Sequence, residues 1–148
     1  MALRLMRAQS VVAISPARVG RSKLRALDEV EWINWGRSLA QLPDAQWIDA
    51  NVPAERIVLR TSSMDAQLHA ARAGLGALLL PRAFVRWTQL AELRLGSELE
   101  ASLPPMPSSD LWLVGHTALR QVPRVAAVWD YIVELVRELE PTVASAPR

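Results

Sequence analysis

Arg56-Ile57-Val58-Leu59-Arg60-Thr61-Ser62-Ser63-Met64-Asp65 opens the stretch that decides the fold, and Gly74-Leu75-Gly76-Ala77-Leu78-Leu79-Leu80-Pro81 closes it. Arg56 to Arg60 alternates apolar and charged residues around a β-branched centre, which predicts a strand. Thr61, Ser62 and Ser63 are each able to cap a following helix. Ser62 with Asp65 three residues on approximates a capping box. Met64, Leu68, Ala71 and Leu75 recur at helical spacing. Gly74 suits the left-handed position that ends such a helix, with Leu75 as the apolar contact behind it. Ala77 to Leu80 is continuously apolar, the pattern of a strand buried on both faces, and Pro81 stops it. The unit is strand, hydroxyl-rich turn, helix, glycine turn and buried strand. A parallel pair joined by a right-handed crossover is its economical arrangement.

Ligands in open α/β sheets bind beyond the carboxyl ends of the strands, and a helix amino end favours a negative group. Thr61, Ser62 and Ser63 lie at such a junction, although capping alone also accounts for the serines. Outward from here, Ser10 to Ser15 reads as a buried strand stopped by Pro16, and Lys23 to Val30 as a short helix. Glu31 to Gly36 reads as a brief strand entering a loop, where Gly36 allows a tight turn or a close approach to a ligand. If this strand neighbours the one at Arg56, that loop ends beside Thr61–Ser63. Ser38 is placed to cap a turn through Leu42, Pro43-Asp44 restarts the chain, and Trp47 with Ile48 reads as an edge patch. Arg82 to Trp87 suits one or two helical turns, and Leu90, Leu93 and Leu95 an extended edge. Glu98 to Ser109, with three prolines, reads as an irregular connection. Leu111 to Val114 is a strand. Pro123 starts a long helix on which Val122, Val125, Trp129, Ile132, Val136 and Leu139 form one stripe. Leaving six such side chains in water would forgo on the order of 10 kcal/mol, comparable to a domain's whole stability. That stripe requires a partner.

Two runs resemble the effector-sensing domain of LysR-type transcriptional regulators. RTSSMDAQLHAARAGLGALLLPRAFV, residues 60–85, is similar to that domain's second lobe, and DLWLVGHTALRQVPRVAAVWDYIVELVRE, residues 110–138, to the strand and closing helix that return to the first. The resemblance implies an α/β, periplasmic-binding-protein-like (type 2) fold, Rossmann-like in each lobe, with the second lobe complete and the first partial. Residues 16–108 would be the second lobe, 1–15 and 109–140 remnants of the first, and 141–148 a loose tail. It begins partway into the family's domain, with no counterpart to the helix-turn-helix or to the opening of the first lobe. A truncated gene product, a mis-called start or a fragment is the expectation. No residue of this chain inherits a DNA-binding role.

The resemblance further implies a small-molecule effector, often an organic acid in this family, bound between lobes. It also implies a dimer or tetramer, and contact with DNA only through the absent amino-terminal domain. Asn34, Trp35, Gly36, Thr61, Ser62 and Ser63 are the residues expected at the effector. Two readings stay open beside this one, a solute-binding module of the same fold and an interaction fragment that needs no ligand.

Composition bounds the rest. The chain has 148 residues, a net charge of +2 from 17 basic and 15 acidic residues, and no cysteine. Such a balance does not make a nucleic-acid groove, and the missing thiols exclude disulfides and thiolate chemistry. A cytoplasmic protein with no cofactor, no metal and no membrane partner is expected, since the first apolar run, Val11 to Ile14, is too short for a signal core. His69 and His116 lack acidic or histidine partners at ligand spacing. No serine sits in a G-x-S-x-G elbow, and the paired glycines follow a helix rather than open one. An enzyme is not expected. Of the six tryptophans, Trp112 and Trp129 are expected in the core, while Trp32 and Trp35 are read as core or interface residues, with a pocket wall as the alternative. Arg60 and Arg82 are candidates to hold a carboxylate.

Overall fold

The computed structural model describes residues 1–20 and 23–144, with side chains described as far as residue 138. The chain forms two compact units, Met1–Ala8 with Ser109–Arg148, and Gln9–Ser108.

The strand β1, Ala2–Ile14, passes from the first unit into the second. It starts eight residues earlier than Ser10, because pairing with another strand organises a segment whose own pattern is mixed. In the Gln9–Ser108 unit follow β2 (Trp32–Trp35), the helix α1 (Pro43–Asn51), β3 (Ile57–Thr61) and α2 (Met64–Arg72). Then come β4 (Leu78–Pro81), α3 (Arg82–Val85), β5 (Ala91–Glu92) and α4 (Ser97–Ser102). β2 and β3 pair in parallel, with Trp35 opposite Thr61. β4 pairs antiparallel with β1, and β1 with β5. A parallel bridge between Trp32 and Ala77 joins the two sheets.

β3 and β4 therefore run parallel but are not partners. β2 lies between them, held by Ile33 N–H donating to Ala77 O and Ala77 N–H donating to Glu31 O, both at 2.7 Å. Gly76 makes that seam possible, since a Cβ there would stand 2.7 Å from the Glu31 carbonyl oxygen. The direct pair expected from sequence is corrected accordingly, because local patterning carries no strand order.

Successive residues of β1 and β4 serve opposite faces of the sheet, as a period of two requires. Val12, Ile14 and Leu79 join Trp32, Trp47, Ile48 and Val52 in one cluster. Val11, Ala13, Leu78 and Leu80 join Ile33, Ala71 and Val85 in the other. α1 thus covers one face and α2 with α3 the other. Trp47 and Ile48, expected as an edge patch, are core residues because α1 turns them onto the sheet. Trp32 is wholly buried, its indole N–H donating to Leu27 O at 2.7 Å, so it is no pocket wall.

Gly74 ends α2 at φ +82°, with Leu75 N–H donating to Ala70 O at 3.0 Å. The expected apolar contact from Leu75 is missing, its side chain being exposed. Two further expectations fail. Lys23 to Val30 holds only a 3-10 turn at Leu27–Glu29, because Leu24 is drawn into a bridge with Leu95. Within Glu98–Ser109, α4 forms before the prolines take effect.

In the other unit, β6 (Ser108–Val114) pairs with β1. Met1 and Gly115 exchange N–H···O bonds of 2.9 and 3.0 Å, the reciprocal pattern of antiparallel strands. α5, Pro123–Ala144, buries Trp129 and Val136. Gly115 lets the chain cross the Trp129 ring, where a Cβ would lie 3.0 Å from a ring carbon. Trp112 is 52% exposed rather than core. Leu113, facing α5, turns its neighbour to the opposite side of the strand. α5 includes Pro141–Ala144, which the sequence suggested as a tail. Residues 145–148 and the Leu139 side chain lie outside what the structure describes. Among the described residues no helix is long and apolar enough to cross a membrane.

Candidate functional site

β2 and β3 end side by side, so the loops that follow them meet. Gly36 N–H donates to Thr61 O at 3.1 Å. A 3-10 turn, Arg37–Leu39, then carries Ser38 back to the second loop. The Ser38 and Ser62 hydroxyl oxygens share a hydrogen bond at 2.5 Å. Gly36 is required here for its lack of bulk, as its φ of −69° is open to any residue. A Cβ would fall 2.6 Å from Ser62 Oγ and 3.2 Å from Ser62 N.

Ser63, not Ser62, is the residue that caps α2. Its hydroxyl accepts from Ala66 N–H at 3.3 Å, while its own N–H donates to Thr61 Oγ1 at 3.2 Å. The capping box expected of Ser62 and Asp65 does not form, since the cap is Ser63 and its N3 residue, Ala66, has no polar side chain to reciprocate, which leaves Ser62 Oγ for Ser38. Met64 and Asp65, as first-turn residues, retain N–H groups without an intrahelical acceptor. Gln67, 2% exposed, reaches back from α2 and donates to Thr61 O at 3.2 Å. That contact fixes the start of the helix against the end of the strand.

Of the six residues expected at an effector, Gly36, Thr61, Ser62 and Ser63 are together at this junction, and half-buried Trp35 sits in register with Thr61. Asn34 differs. It is 1% exposed, and its amide faces α1, with Nδ2 donating to Ala45 O at 3.3 Å and to Asp49 Oδ1 at 2.9 Å. Its Oδ1 accepts from Trp35 N–H at 2.8 Å. Every polar atom of Asn34 is thus engaged inside the fold, because side chains alternate along β2 and residue 34 faces the helix.

The two candidate arginines are engaged as well. Arg60 donates to Asp49 Oδ1 at 2.7 Å, and Arg82 binds Glu92 through two nitrogens at 3.2 and 2.9 Å. Ser38 and Gln67 belong to the junction but were not among the expected residues. A contact across 24 positions, such as Ser38–Ser62, has no sequence signal. The Gln67 contact, to Thr61 O six positions back, depends on where the helix starts and has no sequence signal of its own. His69 Nδ1 contacts Asp65 O at 2.8 Å on its own helix, and His116 Nδ1 accepts from Ala118 N–H at 3.3 Å. Among the described residues no group of three His, Cys, Asp or Glu is placed to hold a metal.

Residues 2–137 match the family model described as the LysR substrate binding domain. Solved structures share the fold at low identity. The effector domain of the transcriptional regulator AmpR of Pseudomonas aeruginosa is 21% identical, with a TM-score of 0.62 over 96% of this chain and 68% of that one. The effector binding domain of QuiR in complex with shikimate is 14% identical, with a TM-score of 0.55 over 93% of this chain and 66% of that one. The full-length Vibrio cholerae virulence activator AphB, a member of the same regulator family, is 17% identical, with a TM-score of 0.52 over 91% of this chain and 47% of that one. The chain thus spans about two thirds of the effector domains it matches and about half of the full-length regulator. No curated protein sequence matches it. A family match over nearly the whole chain, carried by a fold of the α/β, periplasmic-binding-like class, makes this chain a member of the LysR substrate-binding-domain family, the effector-sensing portion of LysR-type transcriptional regulators.

Proposed function

We propose that the junction of the β2 and β3 loops with the amino end of α2 is one wall of an effector site for a small organic acid. The observation that carries this reading is the close approach of Gly36 to Ser62, with Ser38 and Ser63 beside it. Hydroxyls and first-turn N–H groups gathered at a helix amino end suit a carboxylate. Trp35, Gly36, Thr61, Ser62 and Ser63 would contact the ligand, and Asn34 would hold the strand end in place from behind. The unit Gln9–Ser108 corresponds in this reading to the family's second lobe, and the other unit to part of its first. Binding acts as a switch when the ligand prefers one arrangement of the lobes over another. That switch would set the DNA contacts of a helix-turn-helix outside this chain, within a cytoplasmic homo-oligomer. Sensing rather than catalysis is the role.

The shikimate bound to QuiR makes shikimate the first probe, followed by other small hydroxy acids and aromatic acids. Titration calorimetry on the purified protein should give saturable heat with at least one of these. The Ser62→Ala, Ser63→Ala double variant should lose that heat while its melting curve keeps a single transition. Binding unchanged in the double variant would remove these residues from the site.

A further inference from the structure

We propose that the unit built on α5 holds a second ligand site, a pocket for an amphiphilic monocarboxylate. This is independent of the effector reading, since it uses none of the residues at the α2 end. The pocket has a volume of about 420 Å³, and its lining residues all belong to the unit Met1–Ala8 with Ser109–Arg148. That volume falls among those of small-molecule sites, which are mostly apolar with a few polar groups. It opens where the end of β6, the 3-10 turn Thr117–Gln121 and the start of α5 converge. Buried Trp129 gives it a base, and Leu119 and Val128, 51% and 58% exposed, stand at its mouth. Apolar side chains gathered around a hollow and left in water favour an apolar occupant.

Charge selects the head group of that occupant. No residue lining the pocket is acidic, whereas two are arginines. Arg120 is already committed, donating to Asp130 Oδ1 at 2.6 Å and lying 5.6 Å over the Trp129 ring. Arg124 is exposed and has no ion-pair partner among the described residues. It stands one helical turn before Val128, so the free guanidinium adjoins the apolar mouth. His116, another lining residue, accepts from Ala118 N–H through Nδ1. In the neutral imidazole that leaves Nε2 to carry the proton and donate. A guanidinium and an N–H donor beside an otherwise apolar hollow match one carboxylate on an apolar body. The body fills the hollow over Trp129, and the carboxylate stays at the mouth with Arg124.

Titration calorimetry of the full chain with octanoate and with 2-naphthoate, an acyl and an aromatic member of this class, tests this. At least one of them should give saturable heat. Arg124→Glu should weaken that acid about tenfold, and Arg124→Lys should keep most of the affinity. Val128→Trp, at an exposed position, should fill the hollow and abolish binding while the melting curve keeps a single transition. The Ser62→Ala, Ser63→Ala double variant should bind the acid as wild type does, which separates this pocket from the effector site. Absence of heat with both acids overturns the proposal. So does an affinity that neither Arg124→Glu nor Val128→Trp moves, or one that is lost in the serine double variant.

Discussion

Asn34 Nδ2 donates to Asp49 Oδ1 at 2.9 Å, and the same oxygen accepts from Arg60 at 2.7 Å, so one carboxylate oxygen ties β2 and β3 to α1. The two contacts differ in kind. The Arg60–Asp49 pair is about 40% exposed on each side, where solvent leaves an ion pair worth roughly 0–1 kcal/mol. Asn34 is buried, and an unmade hydrogen bond there costs more than an exposed one gains.

Asn34→Ala should therefore destabilise the protein by about 2–3 kcal/mol, through the orphaned Trp35 N–H and the lost donors to Ala45 O and Asp49. Arg60→Ala should cost less than about 1 kcal/mol. Urea unfolding of both variants checks the ranking. A larger loss at Arg60 would mean that the ion pair, not the amide, holds the helix to the sheet.

The two glycines that frame the quoted stretch make opposite demands. At Gly74 an added Cβ meets only Arg18 Cδ at 3.7 Å, so Gly74→Ala bears the cost of a positive φ alone, about 1 kcal/mol. At Gly76 the Cβ would meet Glu31 O at 2.7 Å and Glu31 C at 2.9 Å, both backbone. Moving them opens the seam between β2 and β4. Gly76→Ala should thus cost at least about 2–3 kcal/mol and lower the melting temperature further than Gly74→Ala does. Equal shifts in thermal melts would show that the seam yields without loss.

The sequence makes one of these glycines legible and not the other. Gly74 follows an amphipathic run and precedes an apolar strand, and its left-handed φ follows from that position alone. The need for glycine at residue 76 depends on β2 lying beside it, which no local pattern encodes. The same division runs through the candidate site. Hydroxyls at a strand-to-helix turn are readable, as is the apolar run Ala77–Leu80. That Ser63 rather than Ser62 caps α2, and that Ser62 turns to Ser38, depends on how two loops distant in sequence meet. Trp112 shows the converse error. Hydrophobicity put it inside, but its exposure depends on which face of β6 meets α5. Asn34 is expected at the effector only through the resemblance, and strand alternation directs its side chain inward.

Acid and neutral stability should differ through Asp44. Burial beneath the sheet holds its carboxyl above the ordinary aspartate range, and the hydrogen bond from Ser10 Oγ, 2.8 Å away, acts the other way. A folded-state pKa above the unfolded one means that the native state keeps the proton across the window between them. Asp44's contribution is then fully present below the unfolded aspartate value and is lost as pH rises through the folded one. Glu31 runs the opposite way. The hydrogen bond from Arg18 first, then one accepted from its own backbone N–H, holds its pKa below the ordinary glutamate range. Its contribution is present above the unfolded value and lost as pH falls through the folded one. Asp44→Asn keeps an oxygen for Ser10 and removes the titration. The variant should be more stable than wild type at neutral pH, with the difference shrinking as pH falls into the acid range. Urea midpoints for both proteins across that range provide the measurement, and a difference that stays constant with pH would mean Asp44 titrates normally in the fold.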